Sequence, residues 1–178
     1  MKRLWGGLTG LVLIASLSPV MADEVGAECP SGENWLECRA AAGAVAMQVE
    51  RIIKTAIMEY NAAMRDGDAA RWTKYFTGNV KRNAPQGSQE GMQAFSEYYA
   101  WEFGNFDATW NTKRMIINGP VGAVEFEWDA VHKATGNPVK VNMVAIFELA
   151  SSGKFQSVDY YFDSAQLGDY VVASGSAN

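Results

Sequence analysis

Three runs of alternating apolar and polar residues between positions 121 and 163 leave this chain few ways to fold. They read VGAVEFEWDAVHK, PVKVNMVAIFELA and KFQSVDYYFD, parted by an Ala-Thr-Gly-Asn stretch and a Ser-Ser-Gly triplet. Side chains alternate faces along a strand, and connections this short oblige neighbouring strands to run antiparallel. A turn on Gly136-Asn137 predicts Val124 opposite Leu149, Phe126 opposite Phe147 and Trp128 opposite Ala145. A turn on Ser152-Gly153 predicts Phe147 opposite Val158, Ala145 opposite Tyr160 and Met143 opposite Phe162. Both registers gather apolar side chains on one face and put Glu125, Glu127, Asp129, Glu148, Asp159 and Asp163 on the other. The apolar face is core or pocket, and His132, the single histidine, falls on it near the first hairpin tip.

Helical periodicity dominates upstream. Val45, Val49, Ile52, Ile53, Ala56, Ile57, Tyr60, Ala63 and Met64 recur at three- and four-residue spacing, with Glu50, Arg51, Lys54, Glu59 and Arg65 on the other side. Asp66-Gly67 should end that helix and Asp68 cap a short second one carrying Trp72, Tyr75 and Phe76. A short strand is expected over Asn79 to Asn83, closed by Ala84-Pro85. Ser88 is placed to cap a third helix with Met92, Phe95, Tyr98, Tyr99 and Phe103 as its buried stripe, stopped by Gly104. Asp107 to Asn118 reads as a further strand, in which a slip of one residue decides whether Trp110 is buried. Three helices followed by a sheet of long strands is an α+β order.

The first 22 residues stand apart. Lys2 and Arg3 precede an apolar run from Leu8 to Leu17, then Pro19 and Val20-Met21-Ala22, the order of a cleaved secretory signal peptide. That run is shorter than the ~20 residues that span a bilayer. The expectation is therefore an exported protein, periplasmic or secreted, with a lead over residues 23–44, one domain over 45–170 and a tail over 171–178. Cys29 and Cys38 bracket PSGENWLE, and in an oxidising compartment a disulfide between them is the default reading. Two cysteines and one histidine fall short of the four ligands of a structural zinc site. Taking Lys2 and Arg3 from the 15 basic residues leaves 13 against 20 acidic, a formal charge of −7. Such a surface repels phosphate backbones and anionic lipid, so neither nucleic acid nor membrane is expected as a partner of the mature chain.

Several local features occur together: Tyr60 seven residues before Gly67-Asp68, the Trp72 to Phe76 segment, Gly91 to Phe95, and the Phe147-Glu148 to Gly153-Lys154-Phe155 hairpin. Tyr161-Phe162-Asp163 with Gln166-Leu167-Gly168 completes the set. In these the chain resembles the NTF2-like superfamily, in particular its SnoaL-like branch, over about residues 45 to 170. The resemblance implies a cone: a curved antiparallel sheet with about three helices on its concave face and a pocket at the open end. It is specific for fold and poor for chemistry, because isomerases, cyclases, epoxide hydrolases and non-catalytic binding domains share the architecture.

Steroid isomerases of the superfamily use a helix tyrosine as oxyanion donor and two aspartates. Counted from Gly67, the tyrosine falls on Tyr60 and one aspartate, which precedes a proline, on Ala84 before Pro85. Counted back from Gly153, the second aspartate falls on Ala145. Asn83 could take the place of Ala84 by a shift of one residue, but an amide is not a base. Epoxide hydrolases of the superfamily place Arg and Asp two apart on a strand, and no Arg-x-Asp occurs in the strands here. The polyketide cyclases pair an aspartate with a histidine, a role His132 could fill.

His132 is accordingly the candidate acid–base group, since imidazole titrates near neutrality, and Tyr60 the candidate hydrogen-bond donor. Tyr60, Asn83, Trp128, His132, Met143 and Tyr160 are the expected ligand contacts. No cofactor is expected, and Glu125, Glu127 and Asp129 do not form a metal set, because residues two apart on a strand lie nearly 7 Å apart, roughly twice the ~3.3 Å rise. The expected function is binding of a small, largely apolar ligand in the cone. The alternative is an isomerase, cyclase or hydrolase using His132 and Tyr60. A second alternative is a protein-interaction domain using the outer sheet face, where Val131, Val144 and Ile146 would also suit a homodimer.

Overall fold

The apolar stripe that begins at Val45 becomes the buried side of a helix of 32 residues, α1 (Trp35–Asp66). The computed structural model describes residues 35–167. The expected leader, Cys29 and the tail over 171–178 lie outside the described residues, and so does most of the expected lead. The last ten residues of that lead are helical instead of a separate segment. Ala40, Ala41 and Ala42 there are exposed, so this extension rests on alanine's helix propensity and not on burial. At the other end Gly67, at φ 68°, lets the chain turn. Its N–H donates to Met64 O (3.2 Å) and that of Asp68 to Ala63 O (2.9 Å), a Schellman stop.

Asp68 then accepts from Ala70 N (3.1 Å) and opens α2 (Ala69–Thr73), as its position predicts. The chain continues through β1 (Phe76–Ala84), β2 (Gly87–Glu90), α3 (Gly91–Asn105), β3 (Phe106–Asn118), β4 (Val121–His132), β5 (Pro138–Leu149) and β6 (Phe155–Tyr161). Phe76 starts a strand instead of finishing a helix. Ser88 caps nothing: it sits in β2 opposite Asn83, and α3 begins after Glu90 without a side-chain cap. The tight turn through Gly87, at φ 137°, brings residues 87–90 back onto β1 before a helix can start.

The six strands form one sheet in the order β2-β1-β6-β5-β4-β3. Neighbours are antiparallel except β1 and β6, which run parallel, so the sheet is mixed and not purely antiparallel. The β5–β6 hairpin has the predicted register, with Phe147 opposite Val158 and Ala145 opposite Tyr160. The β4–β5 hairpin does not. Val124 pairs with Ala145, Phe126 with Met143 and Trp128 with Val141, four positions earlier along β5 than expected. The cause is a longer loop, in which Thr135 N and Gly136 N both donate to His132 O (3.3 and 2.8 Å) and Gly136 adopts φ 72°. Gly136 therefore closes the loop where a two-residue turn would have it begin. The displacement is even, so every side chain keeps its predicted face.

In β3 a bulge between Thr112 and Arg114 reverses the alternation. Ala108 and Trp110 point inward before it, while Met115 and Ile117 are the partly buried residues after it. The helices cover the sheet's inner face. Asn61 of α1 fixes β3 by donating to Trp110 O (3.2 Å) and accepting from Trp110 N (2.8 Å). Phe95 of α3 meets Phe76 of β1 with ring centroids 4.4 Å apart.

Candidate functional site

A cavity of about 50 Å³ opens between α3 and the inner sheet face. One wall is α3, through Tyr98, Tyr99, Trp101 and Glu102; the sheet contributes Arg82, Trp110, Trp128, Met143 and Tyr160. Phe106, Gln86, Phe162 and Leu167 complete the lining. A water needs roughly 10–15 Å³ by this kind of measure, so the space holds about three to five waters. It is sized for a small ligand.

Local periodicity explains who faces inward. Phe95, Tyr99, Glu102 and Phe103 share the buried side of α3 at three- and four-residue spacing. Glu102 is thus a carboxyl set in an aromatic stripe, only 7% exposed. On β1 the same face takes Val80 and then Arg82, which is 3% exposed. Asn83, one residue on, is turned to the other face, where its Nδ2 donates to Asp159 Oδ1 (2.7 Å).

The polar groups form two linked sets. Tyr60 is wholly buried behind the cavity wall; its hydroxyl donates to Glu102 Oε1 and accepts from Trp128 Nε1 (3.3 Å). Burial pushes the Glu102 carboxyl above its ordinary value, opposed by the Tyr60 hydrogen bond and by the positive charge of Arg82. Burial, reinforced by Glu102, holds the Tyr60 phenol well above its ordinary value, so it stays protonated. Across the cavity the hydroxyls of Tyr99 and Tyr160 lie 2.7 Å apart, both raised chiefly by burial.

Arg82 forms the second set. Its Nη1 donates to Gln89 Oε1 (2.7 Å), and its guanidinium carbon lies 3.7 Å from the Tyr98 ring centroid and 5.0 Å from that of Tyr160. Burial works against its charge, but the surrounding acidic groups, Tyr98 foremost, more than offset this. Among the described residues no carboxylate forms an ion pair with it. Arg82 Nε and Gln86 Oε1 are both buried without a hydrogen-bond partner.

Of the residues singled out from sequence, Trp128, Met143 and Tyr160 line the cavity, and Tyr60 sits one layer behind it. Asn83 and His132 are not on its wall. His132 is half-buried at the hairpin loop, with its ring 5.2 Å from that of Phe106 and Nδ1 3.0 Å from Thr135 Oγ1. Sequence reasoning missed Glu102 and Arg82. The signal for each was a charged residue at the buried phase of an otherwise apolar period. The cavity therefore has a carboxyl despite Ala84 and Ala145, supplied by a helix and not by the strands. Among the described residues no three of His, Cys, Asp and Glu converge as a metal set. Outside, Glu125 pairs with Arg114 (2.9 Å), and Asp129 and Glu127 with Lys140 (2.7 and 3.5 Å), so these carboxylates belong to the solvated face.

Comparison with known proteins places the geometry in context. The family profile described as SnoaL-like domain matches residues 57–158, more than half of the chain. Among solved structures, a protein from Jannaschia sp. CCS1 assigned as a SnoaL-like polyketide cyclase superposes with a TM-score of 0.60 at 18% identity, over 75% of this chain and 95% of its own. SalBIII, an epoxide hydrolase/cyclase-like enzyme of pyran ring formation in the polyether salinomycin, gives 0.57 at 22% identity, over 67% and 96%. A protein of ketosteroid isomerase-like fold from Catenulispora acidiphila DSM 44928, solved with trimethylamine, gives 0.55 at 14%, over 67% and 91%. The curated proteins give no significant match. At these identities the structures share a fold with this chain and nothing further follows from their names.

Proposed function

Because the chain belongs to the SnoaL-like domain family, we propose that its cavity takes a small organic substrate and that Glu102 carries out general acid–base chemistry on it. The observation that carries this reading is a buried carboxyl, raised above its ordinary value, in the wall of an aromatic cavity. A carboxyl tuned upward exchanges protons closer to neutrality, which is what isomerisation, cyclisation or epoxide opening requires. Tyr60 is the positioning residue. Its proton is committed to Glu102 Oε1, so it fixes the carboxyl's rotamer and does not itself reach the substrate as an oxyanion donor. Trp128 Nε1 in turn holds the Tyr60 hydroxyl. His132 takes no part in this scheme.

The proposal includes export of the chain after loss of residues 1–22, which would put this chemistry in the periplasm or outside the cell. The test is a turnover screen of small carbonyl compounds, epoxides and lactones. Glu102→Gln should lower turnover at least about 10²-fold, the usual worth of a positioned acid–base group. Tyr60→Phe should cost less and shift the pH profile, while His132→Ala leaves the rate unchanged. Saturable binding with no turnover of any compound would replace this reading with non-catalytic ligand binding, to which the small volume is equally suited.

A further inference from the structure

Arg82 offers the cavity something that acid–base chemistry at Glu102 does not use. A buried cation is costly unless it is paired and its donors are satisfied. Here the groups in contact with the guanidinium, the Gln89 carbonyl oxygen and the faces of Tyr98 and Tyr160, are neutral. Nε has no partner, and the residue lines the cavity. Gln86 Oε1, a second unpartnered and buried atom, belongs to the same wall. The site thus holds a positive charge with a buried, unpartnered Nε–H, and an unpartnered buried acceptor, beside an aromatic lining.

We infer that the ligand is a small monocarboxylate, anchored by its carboxylate on Arg82 Nε, with its apolar body among the rings of Trp101, Trp110 and Trp128. This rests on the reading of the cavity as the ligand site and adds the substrate class. A single anionic charge neutralises the guanidinium, and an N–H to carboxylate bond is of the strong, charge-assisted kind. A phosphate fits worse. It carries up to about two negative charges near neutral pH, so the single guanidinium would leave the excess charge buried against aromatic walls. A ketone or amide would satisfy Nε but bring no charge of its own, leaving the guanidinium with only its longer-range coupling to Glu102. The volume of about 50 Å³ limits the body to roughly one ring. Gln86 Oε1 would then accept from a hydroxyl or N–H on that body.

Calorimetric titration of the purified protein at neutral pH and low salt tests this with matched pairs: acetate, propionate and benzoate against acetamide, propionamide and benzamide. The carboxylates should bind at least tenfold more tightly than their amides, with benzoate the tightest. Arg82→Gln should abolish the difference, and Arg82→Lys, which keeps the charge but loses Nε, should retain only part of it. Should Arg82→Gln fail to fold, the carboxylate-to-amide ratio of the unaltered protein and its fall with added salt still decide the matter. Amides binding as well as carboxylates, or a ratio that survives Arg82→Gln, would overturn the anchor while leaving the cavity as the ligand site. Binding by neither series would remove the cavity reading and this inference with it.

Discussion

At Gly122 a single added methyl group would run into α1. A Cβ built there would lie 2.2 Å from Ile53 Cδ1 and 3.0 Å from Ile117 Cδ1. Carbon atoms prefer ~3.5–4.0 Å, so the first contact is more than 1 Å too short. Ile53 is fully buried, and its methyl can escape only by leaving its rotamer, at about 0.5–1.5 kcal/mol, or by displacing α1. Overpacking of this kind costs ~1–3 kcal/mol, and the gain from alanine over glycine in a strand offsets roughly 0.5–1 kcal/mol of it. Gly122→Ala should therefore lose about 1–2 kcal/mol net, a fall in Tm of roughly 4–8 °C for a domain of this size. Thermal and urea unfolding followed by circular dichroism measure it. The diagnostic is the double variant. Ile53→Val alone should cost ~0.5–1.5 kcal/mol, but on the Gly122→Ala background it removes the clashing methyl and should cost nothing or stabilise. A coupling of ~1 kcal/mol or more is expected for residues in contact; simple additivity would refute the packing argument. Tyr60 lies two turns further along the same side of α1, so a displaced helix would also loosen its hold on Glu102.

Two further predictions concern charge and processing. The folded protein holds the Glu102 proton more tightly than the unfolded chain does, so stability should be fullest below the ordinary carboxylate value of 4.5 and decline as pH rises through the raised folded value. Glu102→Gln, neutral throughout, should lack this decline and gain on the unaltered protein as pH rises; urea midpoints that move the other way would show a stabilised carboxylate. Mass spectrometry of protein recovered after export should find a chain starting at Asp23 with Cys29 and Cys38 linked in a non-reducing peptide map, and an intact leader or two free thiols would defeat those two expectations.

What the sequence made legible was parity. Alternation in β4, β5 and β6 assigned faces correctly, and survived a β4–β5 register displaced by four because an even slip leaves parity alone. The β3 bulge was illegible for the complementary reason: it changes parity mid-strand, so no single register could serve both Trp110 and Ile117. The site was read less well. Attention to histidine and to inherited positions led to His132 and Asn83, while Arg82 and Glu102 stood at inward phases that polar residues rarely occupy. Their charge hid them, since a charged residue is ordinarily assigned to solvent. Ser88 showed the limit of a local rule. It carries the chemistry of a cap, but pairing with Asn83 took precedence.

The one parallel pairing among the described strands, β1 with β6, carries a cost in time. The strands β3 to β6 follow one another through short connections and can zip locally, whereas Asn83 must find Asp159 across most of the domain. Closing a long loop before its contacts stabilise it slows a chain, and contact order makes this the late step. Until β1 arrives, β6 is an open edge able to accept a strand from another molecule. Arg82 and Tyr160 face each other from those two strands. The ligand site should therefore be the last part of the fold to assemble, and a ligand that bridges them would act on the refolding rate through that closing step.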